Sequence, residues 1–461
     1  MRKALSTTMC SILFSIWIAI SVSATEYTML SLGTLPNHGR SLAVAVNNHG
    51  QVVGNAYINT NPYTFVTDAF IWDRNTGIQN LGVFPGMSGS SANDINDLGQ
   101  VVGRSFGLHN ESRGFIWDTE NGMQGLDTII GGTVKGASAI NNTGQILTRL
   151  YDNQGYAQTI VWDPVTGIRE IGTLSSPDEW WTRVDPFDMN DSGQVVGSAT
   201  VSYSVTHAFL WDESNGIRDM GNLSNRQVDR SQASAINNLD QVVGSSYRPY
   251  ADAAFIWEDS TGMVDLGTIP GLNSSARVAC GINDLSQVVG YSWHYGKSTA
   301  FIWDSTNGMR AIGVPPGWLQ SEANSINNMG IIAGRALCQD GLWYAVLWLP
   351  VITAQVEIMP KTLSLKSNGR YVTCYIELPE GNLTVQDIDA SSLRLQDTIA
   401  PASHQSEIGD YDGDCIPDLM VKFNRSELCE KLTPGKATIK LTGYFSNVVC
   451  ITGYDDIRIN K

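Results

Sequence analysis

Gly262 to Asp304 reads GMVDLGTIPGLNSSARVACGINDLSQVVGYSWHYGKSTAFIWD, and its pattern decides the fold. Short apolar and β-branched runs alternate with turn signals. Val264 to Ile269 reads as a first strand, Val278 to Ile282 as a second, Gln287 to Ser292 as a third and Thr299 to Trp303 as a fourth. Asn283-Asp284-Leu285-Ser286 is a tight turn, and Asp304 to Gly308 turns into the next copy. Four short strands per unit predict one blade of a β-propeller.

The unit of about 46 residues recurs seven times between Tyr27 and Pro350. A tryptophan closes each copy: Trp72, Trp117, Trp162, Trp211, Trp257, Trp303 and Trp348. In phase with it run Asn47, Asn96, Asn141, Asn190, Asn237, Asn283 and Asn327, each opening an Asn-Asn or Asn-Asp turn. The fourth turn position is Gly50, Gly99, Gly144, Gly193 and Gly330, but Asp240 and Ser286 in two copies, so a positive φ is expected there. A glycine also follows the Val-Val of the third strand (Gly54, Gly103, Gly197, Gly244, Gly290), as Gly334 follows Ile-Ala, with Thr148 the exception. A strand glycine marks a close backbone approach, expected here from crowding at a central axis. The tryptophans and their neighbours Phe70, Phe115, Phe209, Phe255 and Phe301 read as core residues packed between blades.

These residues resemble the HAF-repeat family of predicted extracellular proteins. The match includes Ala233-Ser234-Ala235-Ile236-Asn237, Gln241-Val242-Val243-Gly244, His207-Ala208-Phe209-Leu210-Trp211 and Gly262 to Ile269. It covers roughly residues 27–350. The His that names the family is kept only at His207; the other copies carry Asp68, Arg113, Gln158, Ala253, Thr299 and Tyr344. The resemblance implies an exported, propeller-like protein and transfers no reaction or ligand.

Composition agrees with a turn-rich all-β chain: charged residues make up 16% and Gly numbers 45 in 461 residues. The net charge of −16 repels phosphate backbones and argues against nucleic acid as a partner. Residues 1–24 read as a signal peptide: Arg2 and Lys3, an apolar run from Met9 to Val22, then Val22-Ser23-Ala24 at the cleavage site. A secreted or cell-surface protein follows, with no membrane span after signal removal. Six cysteines then remain, Cys280, Cys338, Cys374, Cys415, Cys429 and Cys450, and an even number in an exported chain suits disulfides whose pairing the sequence leaves open.

Two ends of a propeller differ. The second-to-third and fourth-to-first turns are near-identical and tight. The first-to-second and third-to-fourth loops vary, and variable loops on a rigid scaffold are where binding sits. Those loops hold Trp180, Trp181 and Trp318, and Tyr57, Tyr63, Tyr151, Tyr203, Tyr247, Tyr250, Trp293, Tyr295 and Trp343, with His294 and arginines nearby. Flat aromatic faces beside hydrogen-bonding groups suit sugar rings or peptide segments. The expected ligand-binding set is Trp180, Trp181, Trp318, Tyr247, Tyr250, Trp293, His294, Tyr295 and Trp343. No catalytic constellation appears: the six His are scattered, and neither a Gly-x-Ser-x-Gly elbow nor a His-Glu-x-x-His helix is present.

The repeat stops after Trp348. Residues 351–461 read as a β-sandwich, with strands at Tyr371–Glu377, Leu419–Phe423, Ala437–Leu441 and Asn447–Thr452, after a junction at Pro350–Ala354. Within it, Asp410, Asp412, Asp414, the Ile416 carbonyl and Asp418 match positions 1, 3, 5, 7 and 9 of a calcium loop. The run resembles the Asp-rich loops of dockerins and thrombospondin type 3 repeats. Cys415 stands where those loops have Gly, and Val421 holds the place of the bidentate Glu.

The sequence therefore predicts an all-β chain: a signal peptide (1–24), a seven-bladed propeller (25–350) and a sandwich with a structural Ca2+ site (351–461). The predicted role is non-enzymatic binding of an extracellular glycan or cell-envelope protein. The competing readings are an enzyme acting on extracellular polymer and a structural surface component.

Overall fold

The computed structural model describes residues 27–61, 64–107, 111–175, 182–224, 226, 229–248, 251–272, 276–378, 384–414, 416–445 and 449–461. The signal-peptide residues, Tyr63, Trp180, Trp181, Tyr250 and Cys415 lie outside this set. Among the described residues, no helix is long and apolar enough to cross a membrane.

The repeat folds into four-stranded antiparallel sheets. In the sixth copy Ala276–Ile282, Val288–His294, Lys297–Asp304 and Gly308–Ala311 pair in that order. This corrects the strand grouping expected from the sequence. Gly262–Asp265 belongs to the preceding sheet, with Met263 opposite Trp257. The reason is local. The turn into it ends on Gly262 at φ +68°, a tight hairpin that folds the next strand back on the tryptophan strand. The strand then ends early, because Leu266 drops into the core and Gly267 turns at φ +81°. Each sheet thus draws its fourth strand from the following sequence copy.

The last copy has no successor, and the chain start takes that place. Tyr27–Gly33 pairs antiparallel with Trp343–Thr353, setting Met29 opposite Trp348. The Ser41 hydroxyl accepts the Ala345 N–H at 2.8 Å, the same bond that Ser90, Ser231 and Ser321 make with Ala69, Ala208 and Ala300. First and last repeats are therefore joined as any two neighbours are.

The turn asparagines carry this neighbour contact all the way round. Each side-chain amide donates to the backbone carbonyl of its counterpart in the next repeat: Asn47 to Asn96, then Asn141, Asn190, Asn237, Asn283, Asn327 and back to Asn47, at 2.9–3.2 Å. The chain of bonds closes on itself. One position further, a second belt alternates Asn and Asp: Asn48, Asp97, Asn142, Asp191, Asn238, Asp284, Asn328. Each backbone N–H donates to the next member's side-chain oxygen. The second oxygen of each Asp accepts from the amides of both flanking Asn.

The strand glycine is indeed a close approach, but not to a central axis. A Cβ on Gly244 would lie 2.0 Å from the carbonyl oxygen of Gln232, and one on Gly290 2.0 Å from that of Val278 and 2.9 Å from the Phe301 ring. A register shift in the adjacent first strand, between Ala233 and Ala235 or Ala279 and Gly281, turns that carbonyl inward. The crowding is thus within one sheet. Thr148 explains itself: its hydroxyl donates to the equivalent carbonyl of Gly136 at 2.7 Å, and its cross-strand partner is Ile160 rather than Phe.

Trp72, Trp211 and Trp348 are buried, while Trp117, Trp162, Trp257 and Trp303 are half-buried against the cores between neighbouring sheets. The expected positive φ at the fourth turn position is present in the glycines and also at Asp240 (+62°) and Ser286 (+58°).

The expected junction at Pro350–Ala354 is largely strand. Trp343–Thr353 runs on out of the last repeat sheet, and its end pairs in parallel with Val449–Asn460, Val351 opposite Cys450. A second sheet holds Gln355–Met359, Tyr371–Glu377, Asp418–Asn424 and Pro401–Gly409. One buried cluster runs from Val52, Phe70 and Trp72 through Leu347 and Leu349 into Ile358, Val372, Phe423 and Ile451, so the tail packs on the first and last repeats. The five described cysteines are free thiols, contrary to the disulfide expectation for them. Cys374 shows why: it lies in the core, where burial raises its pKa and leaves it an apolar filler.

Candidate functional sites

At the variable-loop end, Tyr57, Tyr151, Tyr247 and Trp293 do not sit in loops as expected. They occupy one equivalent position on the second strand of four sheets, three residues after the strand glycine or Thr148. The tight hairpin that follows is short, so the strand extends to the edge. Phe106, Thr200 and Leu337 hold the same position in the other copies. The sequence signal was the fixed offset from the glycine. Tyr247 and Trp293 are exposed.

The sixth copy is the most developed. Trp293, His294 and Tyr295 follow one another into a hairpin; the His294 and Tyr295 rings meet edge-on at 6.5 Å. Tyr295 is 86% exposed and held at φ +45°, a conformation that costs energy in a non-glycine residue. In the seventh copy Trp318 packs edge-on to Tyr344 at 6.0 Å, and Trp343 carries the Arg335 guanidinium 4.5 Å over its ring. Arg335 is fixed by Glu322, 96% buried, at 2.6 Å. Tyr291 and Cys280 border this pair. Burial pushes both up to about 12, with repulsion from Glu322 adding to it. Burial also raises Tyr57, which Arg335 partly offsets. The Glu322–Arg335 pair was not anticipated from the sequence, which shows the two residues only as 13 positions apart.

Two other carboxyls were also not anticipated. Asp94 and Asp188 stand on first strands, two residues before the turn Asn, where other copies have Ala45, Ala139, Ala235, Gly281 and Ser325. Burial, with repulsion from Asp188, pushes Asp94 up to about 8; burial pushes Asp188 up to about 6. Each accepts two backbone N–H bonds, one from the next residue and one from the following repeat: Ile95 and Ile140 for Asp94, Met189 and Ile236 for Asp188. They clasp neighbouring sheets.

The acidic loop curls as its spacing suggests. Gly413 N–H donates to Asp410 at 2.7 Å, Asp414 N–H to Asp412 at 3.2 Å, Ile416 N–H to Asp414 at 2.8 Å and Tyr411 N–H to Asp418 at 2.9 Å. Carboxylate oxygens of Asp410, Asp412 and Asp418 come within 4.8 Å of one another. A second group joins Asp412 and Asp414 to Glu377, a residue the sequence reading missed. Val421 is buried in its strand and cannot reach the loop, but the paired strand ends on Glu377, one step beyond the Ile376–Leu419 pair. Burial raises the Glu377 carboxyl, and repulsion from Asp414, Asp412 and Asp418 adds to it. Asp412 is also raised: the Asp414 N–H bond opposes this, but burial and repulsion from Asp414 and Asp418 prevail.

No family model matches the chain, and no curated protein matches it. Among solved structures it is similar to the β-propeller domain of the Trilobed protease from Pyrococcus furiosus, at 9% identity and TM-score 0.45 over 68% of this chain and 94% of that one. Virginiamycin B lyase from Staphylococcus aureus gives 12% identity and TM-score 0.45 over 70% and 100%. A puromycin hydrolase gives 11% and 0.45 over 90% and 66%. Likenesses of this strength assign neither a ligand nor a reaction.

Proposed function

We propose that the chain is an exported seven-bladed propeller bearing a C-terminal β-sandwich, as the HAF-repeat resemblance implies, and that it binds a glycan without transforming it. The observation that carries the reading is the aromatic residue repeated at one strand position and gathered at one end, continued by exposed Tyr203 and Tyr295. Rings held on strand ends offer flat apolar faces at low entropic cost, which suits stacking against sugar. Buried Glu322 and half-buried Arg335 beside them supply fixed polar partners. The closed ring of asparagine bonds supports the blade number, and the two facing sheets of the tail support the sandwich.

Calcium at the acidic loop belongs to the same proposal, as a structural ion. Asp410, Asp412, Asp414, Asp418 and Glu377 are all hard oxygen donors, and bringing them together without a cation is unfavourable. The cation would neutralise the loop and tie it to the Glu377 strand.

The test is binding of the secreted full chain to a panel of polysaccharides and envelope fractions, with calcium and with chelator. Selective capture of a polysaccharide, weakened about tenfold by Trp293→Ala or Tyr295→Ala, is expected. Capture of envelope protein alone, or capture indifferent to both substitutions and to Trp180→Ala with Trp181→Ala, would remove the glycan reading. The competing hydrolase reading has its own outcome in the same experiment. Release of reducing ends from a captured polysaccharide would establish it instead.

A further inference from the structure

A surface cavity in the C-terminal domain, outside the repeats, holds a guanidinium that no carboxylate pairs among the described residues. It has a volume of about 560 Å³ and is lined by Leu365, Ser367, Gly369, Arg425, Cys429 and Glu430 among others. That size is in the range of small-molecule sites. Arg425 is 93% buried. One of its terminal nitrogens donates to the Ser364 carbonyl at 3.1 Å; its Nε is sealed from solvent with no partner. No ion pair joins it to a carboxylate among the described residues.

A buried guanidinium is costly unless charge and hydrogen bonds compensate it. A carbonyl alone does little of that. The fold nonetheless builds around the group. Its backbone N–H bonds the Arg370 carbonyl, anchoring the residue to the lining loop. Gly369 leaves room for the other terminal nitrogen, which would sit 3.1 Å from a Cβ added there. The lining loop is flanked by Lys366 and Arg370 and contains no acid, in a chain whose net charge is −16. Ser367 and Asn368 line the same cavity, and their side chains carry neutral donors.

We propose that this cavity is a binding site for a small oxyanion group, a carboxylate, sulfate or phosphate carried by a ligand, with Arg425 as its anchor. Ser367 and Asn368 complete the donor set, and Glu430 at the edge sets an upper bound on affinity by repulsion. The site is independent of the aromatic end and of the acidic loop.

The experiment is calorimetric titration of the full chain with sodium sulfate, sodium phosphate and sodium acetate, each against sodium chloride at equal ionic strength. Saturable binding of at least one oxyanion is expected, and the best of the three tells tetrahedral from planar chemistry. Glu430→Gln should tighten it several-fold, Arg425→Lys should weaken it about tenfold because the planar fork is lost, and Gly369→Ala should weaken it by crowding the anchor. If Arg425→Lys does not fold, the other two variants decide. The proposal is overturned if no oxyanion binds beyond chloride, or if affinity is the same in wild type, Glu430→Gln and Gly369→Ala.

Discussion

Truncating one ring asparagine should cost the whole repeat array more than its place in a turn suggests. Asn237 is 96% buried and makes four bonds: its amide donates to the Asn283 carbonyl at 2.9 Å and to Gln241 Oε1 at 2.8 Å, and its oxygen accepts from the N–H groups of Leu239 at 3.1 Å and Gln241 at 2.9 Å. Asn237→Ala removes all four and leaves two N–H groups and one inter-repeat carbonyl to find water. At about 1 kcal/mol per lost bond the cost is roughly 3–4 kcal/mol. Asn237→Asp keeps both acceptor bonds but loses both donors, and it sets a carboxylate against two oxygens; it should cost about as much. The neighbouring Asn238 is exposed, and Asn238→Ala should cost about 1 kcal/mol or less. Equilibrium urea unfolding followed by tryptophan fluorescence measures all three. If Asn237→Ala costs no more than Asn238→Ala, the ring is decorative and the reasoning is refuted.

Three further outcomes are expected. Gly244→Ala should destabilise by about 3 kcal/mol or more, since its Cβ meets the Gln232 carbonyl at 2.0 Å, while Gly244→Thr with Phe255→Ile should recover part of that by recreating the Thr148–Ile160 solution; thermal melts compare them. Asp240→Gly should stabilise by about 0.5–1 kcal/mol by relieving a left-handed residue, whereas Ser286→Gly should be near neutral because it also loses the bond from the Ser286 hydroxyl to Gln241 at 2.8 Å. For Asp94 the folded pKa, about 8, is above the unfolded one near ~4, so its contribution is most favourable below pH ~4 and is lost as pH rises through about 8; Asp94→Ala, the residue of three sister copies, should flatten stability measured from pH 4 to 8.

The repeat period, the tight turns and the four expected C-terminal strands were legible because each is a local pattern: a Gly at positive φ, an Asn opening a turn, alternation over a few residues. Closure was legible only in part. Met29-Leu30-Ser31-Leu32-Gly33-Thr34-Leu35 repeats the Met263 to Ile269 pattern, but no Gly-Met hairpin precedes it, and without that turn nothing local says which strand it joins. The grouping of strands into sheets was misread for the complementary reason: sequence phase fixes neighbours along the chain, and the hairpin at Gly262 decides partners across it. Glu377 was invisible because it reaches the acidic loop through strand pairing, not through spacing. The disulfide expectation came from counting cysteines, which ignores that Cys374 fills a core and offers no partner.

The alternating belt shows how the copy number leaves its mark on composition. Backbone N–H groups supply one bond per junction whatever the side chain is, because either Asn or Asp offers an accepting oxygen. The remaining oxygen of an Asp needs a donor, and only Asn amides flank it, so two adjacent Asp would leave charges facing each other without one. Asn next to Asn carries no such charge. Around an odd ring, strict alternation must fail once, and the physics says that the failure should be Asn beside Asn. It is: Asn328 donates its N–H to Asn48 at 2.9 Å, at the junction between the last and the first repeat. Replacing Asn48 by Asp would satisfy the turn geometry equally well, yet it would place that carboxylate beside Asp97 and strip one of the two amides from the Asp97 oxygen. The seam residue is thus constrained by a neighbour in the ring rather than by its own turn.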